Sequence, residues 1–270
     1  GTYMDDGDSN VYIGREAGKG SGTGNNATQN ILIGYQSGYN ISTADGSVGV
    51  GYNSLRALTS GGSNTGVGQN AGYSVTTGVE NVALGQTALF YNQTGHYNVA
   101  IGRASMFGVS GNSHDYNTAV GYKSLFGITT GGNNTVVGYA SAIALTTGGG
   151  NVLMGYYSGQ YLTTGDKNIY IGGYAGAGNH EGDYNVFIGH ESGLGAANNT
   201  RFKNVSIGYQ SMYSVTTGHE NTVIGTEAAR SLTTADNNVI IGYQTGYNLT
   251  TSRYNVLIGD QAGYNLVESS

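Results

Sequence analysis

Two short stretches of the sequence carry side chains suited to holding a ligand: His114, Asp115 and Tyr116, and His180, Glu181, Asp183 and Tyr184. Arg201 and Lys203 stand in a third. A tyrosine ring flanked by a carboxylate and an imidazole can stack on a sugar and hydrogen-bond its hydroxyls. Exposed loops on a regular scaffold are where such binding usually resides. On this reading His114, Asp115, Tyr116, His180, Asp183, Tyr184 and Arg201 are ligand contacts, and the ligand is a cell-surface glycan or another surface receptor. The competing reading is that these segments relieve mismatch between turns or sheathe a neighbouring chain. Other chemistry is not written in the sequence. There is no nucleophile elbow, P-loop, His-Glu-x-x-His pair or EF-hand loop. His180, Glu181 and Asp183 have donor types for a cation, but a hydrated turn accounts for them, so neither metal nor cofactor is expected. Asp166 and Asp183, one repeat apart, are the carboxylate pair a glycosidase would need. Asp183 lies in an irregular segment, and the chain is read as non-catalytic.

Composition narrows the class. Among 270 residues there are 49 glycines and 23 tyrosines but no proline, cysteine or tryptophan, and 10% are charged. Glycine without a Gly-X-Y period is not collagen, and 38% hydrophobic residues is too many for a charge-rich disordered chain. The net charge of −6 and ten scattered basic residues offer no phosphate-binding patch, so nucleic acid is not an expected partner. No apolar run approaches the length of a membrane span, and no signal peptide stands at Gly1, which reads as a cut within a longer chain.

The elements that must position these residues are set by a repeat. The block Asn, β-branched, any, aliphatic, Gly recurs fifteen times, closing at Gly14, Gly34, Gly51 and on to Gly259. Eleven of the fourteen spacings are 17 residues, and the others are 20, 19 and 19. Numbering each unit from its Asn, positions 2 and 4 alternate as on a strand, and Gly at position 5 permits a corner. Position 8 is Ala, Ser or Thr in every unit, and position 12 is apolar where the text is regular (Ile41, Leu58, Val75, Ile128, Leu145, Leu162, Val215, Leu232, Leu249). Units this short bury little alone and must stack as coils. The pattern predicts an all-β fold, a parallel β-solenoid or β-roll of fifteen turns of about 17 residues, extending roughly 70 Å at about 4.8 Å per strand. Position 1 is Asn in fourteen units, with Ser47 the exception, which predicts an amide ladder along the coil.

Taking positions 2 and 4 as inward places position 3 on the outside. The outward row then includes Tyr12, Leu32, Val136, Leu153, Tyr170, Phe187, Val223, Ile240 and Leu257, with no charge anywhere in it. An apolar outward strip predicts an interface with other copies of the chain. The longer units are the first, sixth and eleventh, which divides a single repeat domain at 10–270, after a lead-in at 1–9, into three sets of five turns at 10–97, 98–184 and 185–270. The text departs from the repeat at 92–95, 108–115, 177–184 and 194–203, and these segments are expected to emerge as loops.

Residues 117–125, NTAVGYKSL, and 81–89, NVALGQTAL, resemble the repeats of phage tail fibres and related surface-fibre proteins. The block is also similar to the head repeats of trimeric autotransporter adhesins, whose turns are shorter. The resemblance covers residues 10–266 and implies a homotrimer, a β-roll head and an extracellular place on a cell or virion surface. The expected function is an adhesive or receptor-binding fibre segment. The alternative is a purely structural shaft or filament subunit with no ligand of its own. A file of Thr-Thr pairs, Thr76-Thr77 to Thr250-Thr251, raises ice binding as a third reading, weakened because adjacent strand residues face opposite ways and the file is interrupted.

Overall fold

A three-residue strand in a tight coil turns one side chain to one face and two to the other, so the parity of a single residue decides what is core. The computed structural model describes residues 9–266 apart from 21, 23, 24 and 198, and contains fifteen such strands and no helix among the described residues. All but Ser9 of the lead-in segment lies outside the described residues. The chain divides into two compact units between Asn133 and Asn134. The first holds β1 (Val11–Ile13), β2 (Ile31–Ile33), β3 (Val48–Val50), β4 (Thr65–Val67), β5 (Val82–Leu84), β6 (Val99–Ile101) and β7 (Thr118–Val120). The second holds β8 (Thr135–Val137), β9 (Val152–Met154), β10 (Ile169–Ile171), β11 (Val186–Ile188), β12 (Val205–Ile207), β13 (Thr222–Ile224), β14 (Val239–Ile241) and β15 (Val256–Ile258). Within each unit every strand pairs in parallel with the next, position for position, as in Leu32 opposite Gly49 and Thr222 opposite Val239. Each unit is therefore a parallel β-solenoid of the predicted turn length.

The position-1 asparagines form the predicted ladder, and each satisfies several groups at once. Asn221 accepts at Oδ1 from the backbone N–H (3.1 Å) and the Nδ2 (2.9 Å) of Asn238. Its own Nδ2 donates to Asn204 Oδ1 at 3.1 Å and to the Ala235 carbonyl at 2.8 Å. A buried amide with every group partnered stabilises the coil, whereas one left unpaired would cost it. Ser47 keeps the acceptor role alone: its Oγ takes the N–H of Asn64 at 3.2 Å. The glycine at position 5 is fixed by close approach as well as by backbone angle. At Gly208 φ is 137°, and a Cβ would meet the Gly225 backbone of the next turn.

Position 3 points inward, and this corrects the outward reading. Leu32, Val136, Leu153, Tyr170, Phe187, Val223 and Ile240 are fully buried within the coil. Tyr12 and Leu257 are half-buried, and Leu257 packs on the core of the second unit. None of these nine forms an outer strip. The physical reason is the ladder: Asn at position 1 must be inside to bond its copies, so position 3 is inside and positions 2 and 4 are outside. A one-residue error in parity exchanges the two faces of a strand entirely.

The core fills by exchange between positions 3 and 9. Where position 3 is large, position 9 is glycine, as in Tyr12 with Gly18, Leu32 with Gly38, Tyr170 with Gly176 and Phe187 with Gly193. A Cβ on Gly193 would stand 2.7 Å from the Phe187 ring, and one on Gly176 would stand 2.6 Å from the Tyr170 ring. Where position 3 is small, as at Ala83, Ala100, Ala119 and Ser206, position 9 is Leu89, Met106, Leu125 or Met212, all buried; the exception is Gly66 with Gly72, where Leu55 of the preceding turn fills the space. The expected inward residues at position 12, from Ile41 to Leu249, are also fully buried.

Candidate ligand groove

Positions 16 and 17 close each turn and are the least constrained part of it. The structure uses position 16 to tie turns together: Asp183 Oδ1 accepts the N–H of Asp166 at 2.8 Å, and Asp236 Oδ1 accepts that of His219 at 2.9 Å. In the second unit these files line a groove of about 490 Å³. Its acids are Asp183, Glu220 and Asp236, its bases Lys203 and His219, and its aromatic walls Tyr184 and Phe202, with Asn237 completing it. The volume lies in the ordinary range for small-ligand sites.

The groove is internally paired. Lys203 Nζ is 3.2 Å from Glu220 Oε1, and Arg253 Nε is 3.3 Å from Asp236 Oδ2. Phe202 lies 5.3 Å from the His219 ring, and the His219 Nδ1 accepts the Phe202 N–H at 3.1 Å. Tyr184 is exposed and receives a hydrogen bond from Lys167 Nζ at 3.1 Å, which raises the lysine pKa above its usual value. The result is a pair of aromatic walls edged by donors and acceptors, in which Glu220 and Asp236 are paired with Lys203 and Arg253 and Asp183 holds a backbone N–H. Such a lining suits a neutral, hydroxyl-rich ligand better than a strongly charged one.

Of the seven residues singled out in the sequence, Asp183 and Tyr184 line this groove. His180 lies at position 13, half-exposed, with Nδ1 3.4 Å from Glu181 Oε1. Asp115 and Tyr116 are the last two residues of a 19-residue turn in the first unit, equivalent to positions 16 and 17 of a shorter turn, where Tyr116 stacks on Tyr97 at 5.1 Å and Asp115 Oδ1 accepts the His96 N–H at 2.6 Å. His114 and Arg201 are corrected as ligand contacts, because both are buried inside the coil. Each stands three residues before the next ladder Asn, in a 19-residue turn, at the place that position 15, mostly Gly or Ala, takes in a 17-residue turn. The ladder grips their carbonyls there, Asn98 Nδ2 to His114 O at 2.8 Å and Asn185 Nδ2 to Arg201 O at 2.7 Å, which turns the side chains inward. Burial pushes the His114 pKa down to about 4, and that of Arg201 to about 10. The Arg201 guanidinium donates to the Gly193 carbonyl at 2.6 Å and lies 5.7 Å from the Phe187 ring centre, with no carboxylate partner among the described residues.

Other surface files are already committed. In the first unit Tyr73, Phe90, Phe107 and Phe126 stack at 5.0, 5.1 and 5.1 Å, and Arg56 lies over Tyr39 and Tyr73. Ring faces covered by neighbouring rings cannot stack on a sugar. The position-13 threonines donate to the carbonyl one turn on, as in Thr216 Oγ1 to Thr233 O at 3.1 Å. Asp166 and Asp183 each hold a backbone N–H of the preceding turn. Among the described residues no group of three or more His, Asp or Glu side chains is placed to hold a metal ion.

No family profile matches the chain. No curated protein and no solved structure matches it either.

Proposed function

We propose that the chain is an adhesive or receptor-binding segment of a surface fibre, assembled from several copies as a homotrimer and displayed outside the cell on a cell or virion surface. Its ligand is a cell-surface glycan, held in the groove between Tyr184 and Asn237. The observation that carries this reading is the groove itself: two aromatic side chains, Tyr184 and Phe202, bordered by Asp183, Lys203, Glu220 and Asp236 on a rigid hydrogen-bonded coil. Rings for stacking and paired donors and acceptors for hydroxyls are what a sugar requires. The long homogeneous ladders favour a second reading, a structural shaft, since they need no ligand.

A glycan array probed with the fluorescently labelled chain separates the two. The adhesive reading expects specific hits that fall at least tenfold in Phe202→Ala, a half-buried wall residue whose loss leaves the Asn ladder intact. An array without hits for the assembled protein removes the adhesive reading and leaves the shaft.

A further inference from the structure

With position 3 inside, the outward sheet face is made by positions 2 and 4, and its composition is unlike that of a solvated surface. Every one of these side chains is exposed or half-exposed in every strand of both units. Position 4 is Ile, Val, Leu or Met in all fifteen turns, and position 2 is Val or Ile in all but Thr65, Thr118, Thr135 and Thr222. No charge interrupts the thirty positions. Strand propensity alone does not account for this. Threonine shares the β-branching and the size of valine, and is accepted at position 2, yet never appears at position 4. An antiparallel or solitary sheet facing water would alternate toward polar residues on its outer face. Each unit instead carries one wholly aliphatic file and beside it a β-branched file with two threonines, without the inward or edge charges that keep sheets apart.

We propose that this stripe is the surface through which copies of the chain meet, stripe on stripe, parallel and in register, so that positions 2 and 4 of one copy interdigitate with the same turns of another. The proposal supplies a surface for the self-association in the fibre reading and rests on that part of it, independently of the ligand. Three observations choose a second copy over another partner. The first is period: the files repeat at the strand spacing, and another coil of the same construction presents side chains at the same interval turn after turn. The second is shape: like sheets pack face to face about 10 Å apart through dry, interlocking β-branched side chains. The third is area. At about 4.8 Å per strand and about 10 Å across, the eight strands of the second unit present about 380 Å² and the seven of the first about 340 Å², each somewhat under half of the roughly 800 Å² a partner gives to a standard interface, so that a matching copy must engage the stripes of both units.

The test is the solution mass by light scattering at micromolar concentration. Wild type is expected at an integral multiple of 27.8 kDa. A variant with Val50→Lys, Ile101→Lys, Ile171→Lys and Ile207→Lys, which charges only outward positions, is expected at the single-chain mass with an unchanged far-UV circular dichroism spectrum. A control charged at the neighbouring corner, Tyr52→Lys with Tyr209→Lys, is expected to remain assembled. Because the chain has no cysteine, Ile207→Cys supplies a second readout that does not depend on the lysine variant folding. It is expected to form disulfide-linked dimers under mild oxidation, and Tyr209→Cys is not. A monomeric wild type overturns both this surface and the self-association behind it, as does a monomer that floats with phosphatidylcholine vesicles, which would make the stripe a lipid surface. An assembled lysine variant, or an Ile207→Cys chain that does not cross-link, overturns the surface while leaving self-association standing.

Discussion

Exchanging Leu32 with Gly38 tests the packing rule on which the inward placement of position 3 depends. Leu32 is fully buried, and a Cβ on Gly38 would approach its Cδ2 to 2.9 Å and its Cδ1 more closely still. Leu32→Ala leaves a cavity and costs about 3 kcal/mol, as deletions of buried leucine do. Gly38→Leu forces a side chain against Leu32 and holds it at φ 57°, which together cost about 3 kcal/mol. Independent effects would sum to about 6 kcal/mol. The double variant Leu32→Ala with Gly38→Leu reproduces the arrangement already present at Ala83 with Leu89, where a leucine is tolerated at φ 51°. It should therefore lose only about 1–2 kcal/mol, a coupling of about 4 kcal/mol. Native-state hydrogen exchange at the Ile31 N–H, which donates to the Ser47 carbonyl at 2.9 Å, reads the opening free energy locally and avoids assuming that a repeat array melts in one step. If the double variant loses the full sum, or if Leu32→Ala costs less than about 0.5 kcal/mol, position 3 does not fill the interior and the packing argument fails.

Two further perturbations address the ladder and the buried imidazole. Asn221→Ala leaves the Ala235 carbonyl and the Asn238 N–H without their side-chain partner, and should lower stability by about 3 kcal/mol in urea titrations, with Asn221→Ser, which keeps an acceptor as Ser47 does, losing less. His114 is held neutral with its pKa depressed from 6.5 to about 4, so the unfolded chain binds the proton first as pH falls. Its contribution is complete above pH 6.5 and is lost on descending toward pH 4, by about 3 kcal/mol. His114→Gly, which restores the residue common at position 15, should flatten that part of the stability–pH curve, and an unchanged slope would remove His114 as its source.

The repeat made much of this fold readable. Asn at position 1, the small residue at position 8 and the aliphatic residue at position 12 each point to a specific place in a coil, and each is found there. The parity of the strand was misread because positions 2, 3 and 4 are all apolar, so hydrophobicity alone could not choose between them. Two signals in the chain could have chosen: an asparagine ladder fixes its own side as inward, and large residues at position 3 coincide with glycine at position 9, as Tyr170 does with Gly176. The groove was half visible. Asp183, Tyr184 and Phe202 stand in segments that depart from the repeat, whereas His219 and Asp236 are ordinary occupants of position 16. Reading positions 16 and 17 down consecutive turns, rather than along the chain, would have assembled them. His114 and Arg201 misled because charge in an irregular segment looks like surface, and only the carbonyl bonds from Asn98 and Asn185 reveal that their corner faces inward.

Because the backbone hydrogen bonds that join turns span 15 to 21 residues, the loop that must close to add a turn has nearly the same length throughout each unit. Closure entropy is then incurred in equal small steps, and lengthening such a coil adds steps without lengthening any search. A chain leaving the ribosome at about 5–20 residues per second delivers a complete turn every one to three seconds or so, far slower than a loop of that size closes. Each new turn can dock on its predecessor before the next has been made. Growth by sequential docking renews only one unpaired strand edge at a time, that of the newest turn, which limits the chances of a glycine-rich, aliphatic sequence of this kind pairing with a neighbour's edge before its own next turn arrives.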